Sequence, residues 1–430
     1  MFGGVIFIWL FFVGLMAKQL KLYNIENVNG VIVKRWHWIS AVILFFPIFW
    51  LACMGPAIND IPMYLSAYKL LPSSFMGILQ YLSTMESGQG FVIIEWLIKS
   101  VFGNSFTAFR VIIALIHSIP IIYIFRKYSE DYWIAIYLFV ASSVHIGWMM
   151  NGLRQFIAVA IILFALPYVI NRKYMKAIFI ILLASTIHVT ALCMLPIIFI
   201  VQGKVGNKRT MFFIVMAIIA MFILSKNPAL MDTILGETEY AGAVTEMQRL
   251  GDDGVNPLRV LVTAVPVLLA FVQRRRILRE ENPVIHICVN MSIITVGFNL
   301  IAMVTSGILM GRMAIYTNLY SFIIMPYLIR NAFTKKSQKI VNMLMIVFYF
   351  IFYCFENGSS VEGEIIMSKI IHYCWFGGSE KPPIVKKCID SWKEYFPDFE
   401  IMEWNEQNFD IHNNRYVEEA YQSKKIRICK

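Results

Sequence analysis

The chain is predicted to be an all-α polytopic membrane protein followed by a short, incomplete α/β fragment. Three observations predict this. Hydrophobic residues make up 58% of the sequence and charged residues only 15%, outside the range of soluble domains. Up to about residue 355, one apolar run follows another, each near the roughly 20 residues that a bilayer core requires. The runs lack period-two alternation, so they are helices and not strands of a barrel.

Taken in order, the runs fall near 2–17, 37–55, 107–125, 132–150, 153–170, 174–203, 210–225, 258–273, 284–304, 310–329 and 340–355. They give about 11–12 transmembrane helices. The first starts at Phe2 with no basic residue before it and no small-residue cleavage site after it, which reads as a retained span. Basic residues gather in short loops: Lys18, Lys21, Lys34 and Arg35; Arg126 and Lys127; Arg172, Lys173 and Lys176; Lys204, Lys208 and Arg209; Arg274, Arg275, Arg276 and Arg279; Arg330, Lys335, Lys336 and Lys339. Such loops face the cytoplasm. The N-terminus and the loops 56–106 and 226–257 then lie outside, the second rich in acid (Asp232, Glu237, Glu239, Glu246, Asp252, Asp253). All basic loops share one side only if 174–203 is two short helices. These break near Ser185-Thr186-Ile187-His188, which puts His188 at the outer face.

Charge changes sign late in the chain. Residues from Glu356 onward carry a net −3 and the rest +14. Because the excess sits between apolar runs, it is read as a topology determinant and not as a nucleic-acid surface. The cysteines form no CxxC pair, and no HExxH, phosphate-loop or GxGxxG pattern occurs, so neither metal nor cofactor is expected. The domains are read as a membrane domain over 1–355, a linker over 356–366 and a fragment over 367–430.

Several segments of the membrane domain, in this order, resemble the EpsG/Wzy-like polysaccharide polymerases. They are Asp60-Ile-Pro-Met-Tyr64-Leu-Ser-Ala-Tyr68, Gly90-Phe91, Asn151-Gly-Leu-Arg154-Gln155, Ser185-Thr-Ile-His188-Val-Thr-Ala-Leu192 and Gly311-Arg312-Met313-Ala-Ile-Tyr316. The resemblance implies a multi-pass protein of the bacterial cytoplasmic membrane that joins polyprenyl-diphosphate-linked oligosaccharide repeat units on the outer face. The lipid bilayer and other polysaccharide assembly proteins are its implied partners, with no nucleic acid and no cofactor. Such a site must grip diphosphate, for which arginine's charged planar fork is suited, and must take a proton from a sugar hydroxyl.

On that reading Arg154, Gln155, Arg312, Arg110, Arg259, Tyr64 and Tyr68 bind substrate, and Asp60 and His188 are the catalytic candidates. Each has a plainer reading. An interfacial arginine reaches lipid headgroups, and a lone histidine in an apolar run makes structural hydrogen bonds. Asp60 can simply start a helix with Pro62 in its first turn. Tyr64 and Tyr68 can belong to an aromatic belt. The rival functions are a transporter or flippase of the same lipid-linked sugars, an acyltransferase, and a non-catalytic component of the assembly complex.

From Met367 the sequence resembles the start of DXD-type capsular sugar transferases. The residues that carry this are Lys369-Ile-Ile-His-Tyr-Cys-Trp-Phe-Gly-Gly378, Lys387-Cys-Ile-Asp-Ser-Trp392, Pro397-Asp-Phe-Glu-Ile-Met-Glu-Trp-Asn405 and Tyr416-Val-Glu-Glu-Ala420-Tyr421. The reading is strand 369–374, helix 382–395, strand 399–404 and helix 415–424. Trp375, Phe376, Gly377 and Gly378 form a vestigial nucleotide-binding loop. This piece contains no Asp-x-Asp, so it is expected to be an inactive, truncated fragment, joined by a frameshift or assembly error. A genuine fused interaction module is the alternative.

Overall fold

The computed structural model describes residues 2–28, 31–56, 60–227, 230–234, 244, 254–307, 310–364, 370–376, 380–396 and 399–409. They fall into two units, Met1–Tyr353 and Cys354–Lys430.

The first unit begins with α1 (Phe2–Gln19), a hairpin of β1 (Tyr23–Val28) and β2 (Val31–Trp36), and α2 (Trp38–Met54). Three amphipathic helices follow: α3 (Ile61–Leu70), α4 (Phe75–Ser83) and α5 (Gln89–Phe102). Next come α6 (Phe106–Tyr128), the pair α7 (Tyr132–Ala141) and α8 (Val144–Met150), and α9 (Leu153–Leu163) with its extension α10 (Leu166–Ile170). α11 (Tyr174–Ile187) leads through a tight helical turn, Val189–Cys193, into α12 (Met194–Ile200), then α13 (Lys208–Leu224) and the short α14 (Leu230–Ile234). The last are α15 (Pro257–Val272), α16 (Arg274–Ile277), α17 (Pro283–Ala302), α18 (Gly311–Ala332) and α19 (Lys335–Glu364).

Local chemistry sets where these helices start. The side chains of Ser105, Asn207, Asn256 and Asn282 accept backbone N–H groups at the beginnings of α6, α13, α15 and α17. Proline follows the last two at the first helical position, where its missing N–H costs nothing. Among the described residues, four helical stretches are long and apolar enough to cross a membrane: α6, Leu153–Ile170, α17 and Lys335–Asn357. The pair α7 and α8 passes the same test together but bends by 73°. Apolar helices of 10–17 residues accompany them, including α2, α11 and α15. Large apolar side chains such as Leu15, Ile39, Phe212, Leu268 and Phe348 point out of the bundle, as a lipid-facing surface requires.

α18 is the central helix, with every residue from Ala314 to Ile329 buried. Its polar side chains are matched in pairs by α17: Thr317 with Thr295 (2.8 Å) and Ser321 with Ser292 (2.9 Å). Buried hydroxyls inside an apolar bundle are held in this way.

The basic loops meet at one end. Arg35 donates to the carbonyls of Arg126 and Lys127, Arg126 donates to Trp36 O, and Lys34 pairs with Asp131. Arg330 pairs with Glu130 at 2.8 Å, Arg276 donates to Asn331 O and Lys204 to Leu278 O. Gln202 donates to Val169 O, beside the Arg172 loop. The expected break in 174–203 is present. α11 ends at Ile187, His188 is extended (φ −147°, ψ 117°), and the chain returns through α12 to the end where it began.

Two features were not expected. The sequence predicts only a loop between the first two spans, yet residues 23–36 form an antiparallel hairpin with Tyr23 opposite Trp36. Asn29-Gly30 between two runs of strand formers is the signal that marks such a turn. The loop 56–106 is helical, and its apolar face forms a satellite core of Ile61, Tyr68, Phe91, Ile98, Phe109 and Ile187 among others.

The second unit contains β3 (Ile370–Cys374), α20 (Pro383–Tyr395) and β4 (Glu400–Trp404). The strands are parallel, with Ile370 opposite Glu400 and Cys374 opposite Trp404, the strand–helix–strand order that the sequence predicts. Gly377, Gly378 and the expected helix 415–424 lie outside the described residues, as do Glu237, Glu239, Glu246, Asp252 and Asp253.

Candidate anion-binding cavity

At the end opposite the basic loops, three helices begin around one cavity. Arg154 is the second residue of α9, and Arg312 is the second residue of α18. α5 starts directly after Gly88. Gln155 joins two of these starts, its Nε2 donating to the Arg312 carbonyl at 3.0 Å. The buried His117 steadies α9 through a 3.3 Å hydrogen bond between its Nε2 and the Leu153 carbonyl. The cavity has a volume of about 220 Å³ and is lined by Ser87, Gly88, Arg154, Ile187, His188 and Arg312, with Val189.

Two glycines allow α5 to come this close. Gly88 has φ +81°, and a Cβ there would stand 3.3 Å from Nη1 of Arg154. A Cβ on Gly90 would stand 2.3 Å from Thr186 Oγ1, so no other residue fits where α5 meets the α11 tip without a shift. Glycine is suited to both needs, a left-handed backbone and a close approach.

The electrostatics of the cavity are one-sided. Among the described residues neither Arg154 nor Arg312 donates a side-chain hydrogen bond or joins an ion pair, and the buried Nε of Arg312 has no acceptor. The Arg312 guanidinium lies 5.4 Å from the centre of the Trp148 ring. Helix N-termini add partial positive charge and free N–H groups. Two guanidiniums without a described acceptor on one cavity are chemically suited to an anion, and their planar forks suit phosphate oxygens best.

His188 lines the same cavity with its ring held in place. Its Nδ1 is 2.7 Å from Thr190 Oγ1, which is in turn 2.9 Å from the Tyr316 hydroxyl. This chain sets the ring orientation from behind.

Sequence reasoning missed Glu95. It lies on the buried face of α5 with Phe91, Val92 and Ile98, is only 3% exposed, and its Oε1 has no hydrogen-bond partner among the described residues. Burial pushes its pKa up to about 8, opposed by the charge of Arg154. Lys99, one turn on, does not neutralise it, because its ammonium donates to the carbonyls of Tyr68, Lys69 and Leu71 at the end of α3. The signal in the sequence is a single acid on an otherwise apolar helical face, two turns after Gly88.

The remaining candidates do not line this cavity, although Tyr64 bonds to the backbone of Arg154. Tyr64 is half-buried with its ring 5.7 Å from Phe91, and burial raises its pKa against the opposing charges of Arg154 and Arg312. Asp60 is exposed at the start of α3. Tyr68 is fully buried, donating to Gly103 O at 2.6 Å with its ring against Phe109. Arg110 donates to Gly55 O (2.7 Å) and Ala52 O (3.1 Å), completing the C-terminal end of α2. Arg259 lines a separate chamber that it shares with Trp148. In the second unit, Trp375 donates its backbone N–H to Trp404 O at 2.8 Å and Phe376 packs edge-on against Phe409 at 5.8 Å.

Comparison with protein families gives two matches. The EpsG family matches residues 37–373, most of the chain. A second match, to capsular polysaccharide synthesis protein, covers residues 323–430 and overlaps the first. No curated protein and no solved structure matches. Both families belong to polysaccharide biosynthesis, and the apolar helices are those of a multi-pass membrane protein. A bundle built around a cationic cavity, matched along most of its length, thus belongs to the EpsG family.

Proposed function

We propose that the chain is a polymerase that joins polyprenyl-diphosphate-linked oligosaccharide repeat units, at the outer face of the bacterial cytoplasmic membrane. The bias of basic loops toward the cytoplasm supports this orientation, since the cavity opens at the other end. The observation that carries the proposal is the pairing of Arg154 and Arg312, without described acceptors, on one cavity with His188.

In the reaction, a hydroxyl of the acceptor sugar attacks the anomeric carbon of the donor. The new glycosidic C–O bond forms as the bond to the diphosphate breaks. Arg154 and Arg312 take up the negative charge of the leaving diphosphate, which grows in the transition state. His188 accepts the hydroxyl proton, its ring held by Thr190 and Tyr316. Gln155 keeps the two arginine-bearing helix starts in register. Tyr64 offers a ring for a sugar beside Arg154, and the exposed Asp60 at the start of α3 is the alternative proton acceptor to His188. The buried carboxyl of Glu95 tunes Arg154 from within the protein and does not touch substrate.

The test is polymer length made from lipid-linked repeats by Arg154→Ala and Arg154→Lys. Single repeats accumulate in both while export of the unit continues. Loss of export instead supports a flippase, and normal long chains in both variants remove Arg154 from the site.

A further inference from the structure

In α5 the polar and apolar faces are reversed from those of a helix in an aqueous loop. Its charged residues, Glu95 and Lys99, lie on the buried face, whereas Ile93, Leu97 and Val101 follow one another at successive turns on the exposed face. Leu97 is 51% exposed and Val101 73%. A helix bathed in water carries its charges on the outward side. Here that side has none. The hydroxyl between those two residues, Ser100, donates to the Leu97 carbonyl of its own helix at 2.9 Å. α4 continues the surface. It packs on α5, with the Phe75 ring 6.0 Å from that of Trp96, and it exposes Phe75, Met76 (74%) and Leu79. No charged residue occurs from Leu70 to Met85. Ser83 and Thr84 again donate to nearby carbonyls, those of Gln80 and Tyr81. A hydroxyl satisfied by its own helix is compatible with an apolar medium.

The buried side fixes where this layer lies. Phe91 and Ile98 of α5 share one core with Phe109 and Ile113 of α6 and Ile187 of α11. Gly90 lies against Thr186 at the end of α11. α6 is long and apolar enough to cross the membrane, and α11 is one of the shorter apolar helices of the bundle. Both turn apolar residues outward within two turns of these contacts: Leu115 and Ile119 on α6, Leu182 and Leu183 on α11. The layer thus sits at the ends of two lipid-facing helices, on the side away from the basic loops.

We propose that α4 and α5 lie within the outer leaflet, at the boundary between headgroups and acyl chains, with their exposed apolar faces turned into phospholipid. Two features select lipid over a protein partner. The surface adjoins helices that already face the bilayer, and its apolar stripe offers no charge for a protein to pair with. The proposal stands whether or not the cavity is a polymerase site. It also sets the level of that cavity, because its lining residues Ser87 and Gly88 join α4 to α5. An anion borne on a lipid then reaches Arg154 and Arg312 from the side, without leaving the membrane.

The experiment uses the full chain in nanodiscs of phosphatidylethanolamine and phosphatidylglycerol, doped with a phospholipid that carries a diazirine on its acyl chain close to the glycerol. Peptides of α4 and α5 should take up label to within about twofold of the α11 peptide, as interfacial helices do. Met76→Glu combined with Leu97→Glu should cut that label about fivefold by placing charge in the lipid. Label on α11 should stay as in the parent, which reports that the bundle still folds. Absence of label from α4 and α5 in the parent, or unchanged label in the charged variant, would overturn the proposal. So would label that is present in discs holding one copy of the chain and lost in discs holding two, which assigns the face to a second copy. The polymerase reading fails separately, if Arg154→Ala still builds long chains while α4 and α5 are labelled normally.

Discussion

The two ends of the bundle use arginine in opposite ways. At the basic end, Arg35 and Arg126 spend their donors on backbone carbonyls, and Arg330 pairs with Glu130. At the other end, Arg154 and Arg312 face a cavity and their side chains donate to no acceptor among the described residues. Arg110 is the instructive intermediate. It stands near the start of α6, as Arg154 does in α9, yet its guanidinium completes α2. A cation near a helix start therefore says little by itself. What sets Arg154 and Arg312 apart is that the fold leaves their donors unspent among the described residues.

The largest test of this contrast is a set of three substitutions. Arg154→Ala or Arg312→Ala should lower polymerisation by roughly 100-fold or more, the usual scale for removing a donor from developing charge, with thermal stability hardly changed. Arg330→Ala should do the reverse, costing about 2 kcal/mol of stability by stranding the mostly buried Glu130. Activity assays beside thermal unfolding check both, and a common loss of stability would erase the distinction.

Gly88→Ala comes next. Its left-handed backbone makes alanine cost about 1 kcal/mol, and the new Cβ sits against Arg154. A rise in KM of roughly fivefold, with kcat less affected, is expected from a displaced guanidinium.

Glu95 gives a smaller effect with a defined sign. Its pKa in the folded protein, about 8, lies above the ordinary carboxyl value of 4.5. The unfolded chain therefore releases this proton first, and stability falls as pH rises from about 4.5 to about 8. Glu95→Gln should flatten that slope. Unfolding temperatures of parent and variant across this window measure it, and parallel curves would refute it. The smallest effect is expected in the second unit, where Trp375→Ala should leave polymer length unchanged.

Much of the fold is legible in local chemistry. The helices appear where apolar runs were read, and the basic loops converge because each is too polar to enter the bilayer. The break at His188 follows from that convergence alone. The β1–β2 hairpin is signalled only by the dipeptide Asn29-Gly30, because its short strands lie outside the apolar runs. The site was legible only in part. Arg154, Gln155, His188 and Arg312 do come together, whereas Tyr68 and Arg110 form packing contacts elsewhere, and Glu95 belongs to no motif.

By itself the sequence determined the membrane class, the helix starts and the common side of the basic loops. These depend on hydropathy, capping and charge within a few neighbouring residues. Only the tertiary structure decided which cations keep their donors for a ligand. That choice depends on carbonyls and carboxylates brought from distant segments, such as Gly55 to Arg110 and Glu130 to Arg330. No local pattern encodes those meetings, because they arise when helices pack side by side.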